Sequence, residues 1–163
     1  MGAKFAEGGE DVHTLRKARI TDVEAIHRLV NYYASKGLML ARPRALLYES
    51  IREFTVAEES GQVVGVGGLH IIWEDLAEIR ALAVAENMTG RGIGRKLVET
   101  LLNEARELHL PRVFTLTFQP GFFERCGFRL VPKEEMPQKV WRECMNCPHF
   151  PNCKEESLVI DLV

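Results

Sequence analysis

Three glycines in five positions, Gly90, Gly92 and Gly94, stand with Arg91 and Arg95 at the head of a helical pattern in "NMTGRGIGRKLVETLLNEA". A helix N-terminus presents unpaired N–H groups and the positive end of its dipole, so a glycine loop there suits an anion such as phosphate. Glycine also lets the backbone approach the ligand with no side chain in the way. The plain alternative is a tight turn with no ligand. The loop lacks the Gly-Lys-Ser/Thr of a nucleotide P-loop, and it comes after four strands rather than after the first, as a dinucleotide fingerprint would.

A second constellation is "WRECMNCPHFPNCKEES", with Cys144, Cys147 and Cys153 around His149. Cys-x-x-Cys offers two soft ligands for one metal and Cys153 a third, with His149 or Cys126 available as the fourth. A redox pair, a disulfide formed in air and simply reduced thiols compete with the metal reading, which the spacing leaves open.

The elements that must position these residues follow from periodicity. "LRKARI" (15–20) reads as a strand, and Thr21 to Glu24 has capping-box spacing. Ile26, Leu29, Val30 and Tyr33 recur at helical spacing up to Gly37, and a short helix follows Pro43. "FTVAEE" and "QVVGVGGLHIIW", joined by Ser60-Gly61, predict a hairpin, and "EIRALAV" (78–84) another strand. Ile93, Leu97, Val98, Leu101, Leu102, Ala105 and Leu108 mark one face of a long helix. Beyond Pro111 come a strand "RVFTLTF", a short helix "GFFERC", a strand "GFRLV" and a last strand "SLVIDLV". Consecutive strands in the middle predict antiparallel pairing, and the later β-α-β units predict parallel pairing. The result is an α/β fold, a mixed sheet with helices on both faces.

Composition sets bounds. The chain of 163 residues is 46% hydrophobic and 27% charged with a formal charge of −2, which reads as one globular domain without the basic bias of a nucleic-acid binder. No uncharged run reaches the ~18 apolar residues of a membrane span. Residues 1–14 read as a disordered leader with no signal-peptide core, and Ala6 stands where a myristoylation site would want Ser or Thr. A cytoplasmic protein with mostly reduced cysteines is expected, with no nucleic-acid or membrane partner.

"AEIRALAVAENMTGRGIGRKLVETLLNEA" resembles the acetyl-CoA-binding motif of the GNAT N-acetyltransferases, and "FFERCGF" their second cofactor-side motif. The family pattern Arg/Gln-x-x-Gly-x-Gly/Ala falls on Thr89-Gly90-Arg91-Gly92-Ile93-Gly94; Thr89 departs from it, while the backbone cradle survives. The resemblance implies the GNAT fold, a mostly antiparallel sheet of about seven strands in a single domain over 15–163, with the cysteine-bearing excursion at 133–156. It implies that the loop up to Arg95 binds the pyrophosphate of acetyl-CoA. It also implies that Leu82, Ala83 and Val84 pair with the pantetheine arm and that Phe123 lies on the cofactor side.

Acetyl transfer to an amine needs a neutral amine, a stabilised oxyanion and a thiolate able to leave. By resemblance, Glu78 occupies the position of the catalytic glutamate of the histone-acetylating members, and a backbone N–H near Leu82 is the oxyanion donor. The tyrosine that many members use as general acid is replaced by Phe123, and Tyr32, Tyr33 and Tyr48 lie far upstream. A thiol of pKa ~8.5 leaves tolerably without help. Cys126 reads as core.

"GLMLARPRALLYESIREFTVAEE", "VVGVGGLHIIWEDLAEIRALAV" and "RVFTLTFQPGFFERCGF" are similar to the short, single-domain N-acetylglutamate synthases. That likeness implies L-glutamate as acceptor, in arginine biosynthesis, by direct transfer in a ternary complex, and it is compatible with a homodimer. Arg42 and Arg44 match basic positions on the substrate side, and Arg80 is a further candidate for the acceptor's carboxylates. Near the last strand only Lys154 stands in for the basic groups of the synthases. The alternatives are a GNAT enzyme acting on a polyamine, an antibiotic amine or a protein N-terminus, and a CoA-sensing or thiol–zinc module without turnover.

Overall fold

The computed structural model describes residues 13–137 and 155–162. Most of the expected leader, Lys154, and the candidate ligands Cys144, Cys147, His149 and Cys153 lie outside the described residues. The strands are β1 (Thr14–Lys17), β2 (Phe54–Glu59), β3 (Gln62–Trp73), β4 (Leu76–Val84), β5 (Arg112–Thr117), β6 (Arg129–Val131) and β7 (Glu156–Asp161). The helices are α1 (Val23–Ser35), α2 (Arg44–Glu49), α3 (Ile93–Glu107) and α4 (Pro120–Arg125).

One seven-stranded sheet runs in the order β1-β2-β3-β4-β5-β7-β6, and β4 with β5 is its parallel pair. The expected second parallel contact, β5 with β6, is not made. β7 inserts between them, antiparallel to both. Burial explains the choice: β7 brings Ser157, Leu158 and Val159 fully into the interior, while β6 is a largely exposed three-residue strand suited to an edge.

Helices cover both faces. α1 and α2 pack Val23, Ile26, Val30 and Leu47 on Phe54, Val56, Val66 and Ala83. α3 and α4 pack Val98, Leu101, Leu102, Phe123 and neighbours on Leu69, Ala77, Ile79 and Val113. α3 lies close over β3, because a Cβ at Gly65 would sit only 3.0 Å from Leu97 and 3.1 Å from Ile93. The predicted apolar stripe of α3 is buried except at its end. Leu108 is the C-cap and half exposed, and Leu110 takes the buried place after the turn.

The entry to α1 differs from expectation. The cap is made by Asp22, whose carboxylate reaches back to the Arg19 N–H, and not by Thr21 with Glu24. Asp22 accepts the Arg19 N–H at 2.7 Å and pairs with Arg16 at 2.8 Å, which leaves Glu24 for Arg44. The guanidinium of Arg16 holds the Asp22 carboxyl below its usual range against the opposing effect of burial.

Candidate active site

β4 carries a bulge at its centre. Val66 pairs with Ala83 and Gly68 with Arg80, so Ala81 and Leu82 together oppose only Gly67. Ala81 adopts φ +56, a left-handed conformation that is strained for a residue with a Cβ. The extra residue switches the alternation of the strand. Ala77 and Ile79 before the bulge, and Leu82 and Val84 after it, pack toward α3, whereas Ala81 and Ala83 pack toward α1.

β4 and β5 pair only at Ala77–Val113 and Glu78–Phe114, with one more tie from the Thr115 hydroxyl to the Ile79 carbonyl at 3.0 Å. Beyond that vertex a cleft of about 650 Å³ lies between them. Its walls are residues 79–84 of β4 and 115–119 of β5 and the following turn, and its far end is the glycine loop. A sheet opened in this way offers a strand edge whose backbone groups can pair with an extended, amide-containing ligand.

The glycine loop meets the requirements of a phosphate cradle. Gly90 has φ +81 and Gly92 φ +80, conformations that glycine adopts without penalty. A Cβ at either would meet no atom within 4 Å, so the ground before the helix is open. Gly92 is the N-cap of the 15-residue α3 and supplies no side-chain cap, which leaves the first-turn N–H groups for a ligand. Thr89, Gly90, Gly92, Ile93, Gly94 and Arg95 all line the cleft. Arg91 does not. It pairs with Glu59 on β2 at 3.0 Å, while Arg95 contacts Glu99 one turn along α3.

Leu82, Ala83 and Val84 line the cleft. Phe123 borders it but is 4% exposed and belongs to the core, where it stacks edge-on with Phe128. Phe122, which sequence reasoning passed over, is the ring that abuts Gly94. Glu78 sits at the vertex, partly buried, opposite His70 on β3 and in register with Phe114 on β5. It borders the cleft's beginning at Ile79 without lining the cleft.

The three arginines separate. Arg80 lines the cleft, with its side chain 10% exposed and an Nη2 donating to Glu53 at 3.2 Å. Arg42 is buried, its main chain clamped by the Asn31 amide at 3.0 and 3.1 Å, and it is not part of the cleft lining. Arg44 is exposed on α2 and forms two hydrogen bonds with Glu24 at 2.7 and 3.0 Å. That partner ties it to α1 rather than to the cleft.

Tyr33 is the residue the sequence hid most completely. Although about fifty positions away (separation 51), it enters the cleft wall and donates its hydroxyl to the Val84 carbonyl. Burial, helped by Glu86, raises its phenol pKa. Helical spacing had placed Tyr33 on the buried face of α1, and nothing in that spacing pointed to β4. Cys126 also borders the cleft, and burial pushes its thiol upward, so it is no ready thiolate.

A splayed parallel pair, a bulged strand and an open helix N-terminus together have the shape and polarity that an acyl carrier with a phosphate-bearing tail would need. The chain belongs to the acetyltransferase (GNAT) family, whose model matches residues 23–128. It is an N-acetyltransferase of that family, whose cosubstrate is acetyl-CoA. Relatives narrow the class. The chain is 47% identical over 132 residues to an amino-acid acetyltransferase of Mycobacterium tuberculosis, covering 79% of this chain and 75% of that one. It is 43% identical over 145 residues to an uncharacterized N-acetyltransferase of Chlorobaculum tepidum, covering 89% and 94%.

Among solved structures, a Mycobacterium tuberculosis protein in complex with CoA and NLQ superposes with TM-score 0.81 at 39% identity, over 92% of this chain and 99% of that one. The N-acetylglutamate synthase of Neisseria gonorrhoeae, complexed with coenzyme A and N-acetyl-glutamate, gives TM-score 0.84 at 25% identity. That match covers 93% of this chain but only 35% of the synthase.

Proposed function

We propose that the chain acetylates the α-amine of a small amino acid, with L-glutamate as the acceptor, by direct transfer from acetyl-CoA in a ternary complex, as a step of arginine biosynthesis in the cytoplasm. The observation that carries this reading is Arg80, a guanidinium set in the cleft wall one residue before the bulge. A polyamine site would want carboxylates there. The amino-acid acetyltransferase of Mycobacterium tuberculosis and the gonococcal synthase support the same acceptor class.

Acetyl-CoA supplies a thioester whose thiol, of pKa ~8.5, is a tolerable leaving group. The first-turn N–H groups around Gly92 hold its pyrophosphate, and the Leu82–Val84 edge of β4 pairs with its pantetheine arm. A backbone N–H near Leu82 faces the oxygen on which negative charge develops. Glu78, at the vertex, takes the ammonium proton directly or through a water, which gives the amine its lone pair. Arg80 fixes the acceptor's carboxylate and so orients that amine.

A thiol-release assay against the common amino acids and spermidine tests the reading. L-Glutamate is expected to give faster release than spermidine. Faster acetylation of spermidine, or no release with any amine, overturns it.

A further inference from the structure

We infer that Glu53 and His70 form a positioning pair that sets Arg80 for the acceptor's carboxylate. Acceptor recognition would then reach from the cleft wall back to the turn before β2. The inference rests on the amino-acid reading above.

Glu53 closes a one-turn 3-10 helix, Ile51–Glu53, and its own N–H is tied to Ser50 at 2.9 Å. Its carboxylate bridges two strands. Oε1 accepts from Arg80 Nη2 on β4 at 3.2 Å, and Oε2 lies 2.9 Å from His70 Nδ1 on β3. With one partner on each oxygen, the carboxylate has a fixed plane. Arg80 is a long side chain with much rotamer freedom, and its guanidinium recognises a carboxylate only when its planar fork is aimed. Tying one Nη to a carboxylate of fixed plane removes that freedom before the acceptor arrives.

The same arrangement keeps Glu53 ionised. Burial works to raise its pKa, but His70 and Arg80 outweigh burial and hold it below the usual range. His70 is also the cross-strand partner of Glu78, so the pair stands beside the proposed base. Glu53 and His70 do not line the cleft, so they act through Arg80 and are positioning residues.

Steady-state kinetics with L-glutamate and acetyl-CoA test the pair; if the amino-acid panel shows a better acceptor, that amino acid replaces glutamate as the probe. Glu53→Gln should raise the acceptor KM roughly tenfold, the loss of one charge-assisted hydrogen bond, with kcat and the KM for acetyl-CoA within about threefold. His70→Leu should move the acceptor KM in the same direction by less. His70→Asn, whose amide can reach Glu53 as the imidazole does, should restore it.

An unchanged acceptor KM in both Glu53→Gln and His70→Leu overturns the inference alone. So does a lower acceptor KM in Glu53→Gln, the result if Glu53 merely neutralised Arg80. CoA calorimetry on each variant reports folding. If Glu53→Gln fails that check, His70→Leu against His70→Asn decides, and equal KM values overturn the inference. A wild-type protein that turns over no amino acid overturns the proposed function and this inference with it.

Discussion

One end of the cleft is backbone, the first-turn N–H groups of α3 behind Gly90 and Gly92. The other end carries a side chain, Arg80, which leans on Glu53 and through it on His70. The backbone end depends on one junction, and the two guanidinium groups beside it have carboxylate partners of their own, Arg91 with Glu59 and Arg95 with Glu99. The side-chain end draws on three separate elements and should fail when any of them shifts. On the proposed reading, cofactor binding would rest on a local backbone pattern and acceptor choice on individual side chains.

The largest effect should come from breaking the backbone end. Gly92→Val forces an L side chain to φ +80 and places methyl groups where the ground is now open. The strain costs about 1–2 kcal/mol and the obstruction adds to it, so the KM for acetyl-CoA should rise roughly a hundredfold. CoA titration calorimetry and a melting curve together separate lost binding from unfolding.

Next comes the side-chain end. Arg80→Met keeps the apolar stem and removes the charge, and the KM for glutamate should rise roughly thirtyfold while that for acetyl-CoA holds. If both Michaelis constants rise together, the two ends are not independent and the contrast fails.

Glu78→Gln probes the vertex between them. It should lower kcat about tenfold near neutral pH, more at lower pH where little neutral amine exists, and less as pH rises and solvent takes the proton. A pH–rate profile parallel to that of the wild type removes Glu78 from the proton path.

The smallest effect belongs to Arg44→Ala. Both partners of the Arg44–Glu24 pair are more than half exposed, so the pair is screened by solvent. Neither Michaelis constant nor the melting temperature should move measurably. A large rise in the acceptor KM would return Arg44 to the site and move the acceptor end toward α2.

Some of this could be read in one dimension. The hairpin Phe54–Trp73, the stripe of α3 and the strand order up to α4 follow from alternation, helical spacing and the Ser60-Gly61 turn. At that turn both residues have positive φ, matching the twist of the strands. The N-cap of α1 was misplaced by one residue, at Thr21 instead of Asp22, because Asp22 satisfies two partners, and one of these, Arg16, lies on the preceding strand. The pairing of β6 was missed because strand neighbours depend on which strand buries more apolar surface, a comparison between distant segments.

The sequence by itself determined the backbone end of the cleft, since a glycine run before an amphipathic helix is a local pattern and its N–H groups point the same way wherever the helix docks. Tertiary structure alone decided the rest. Glu53 meets His70 across 17 positions and Arg80 across 27, and Tyr33 meets Val84 across 51. No periodicity links such residues. They come together because β2, β3 and β4 lie side by side and α1 packs across them. Which of the three candidate arginines lines the cleft was settled in the same way, by tertiary packing. Glu24 took Arg44, Asn31 clamped the chain at Arg42, and Arg80, aligned by Glu53, was left in the cleft wall.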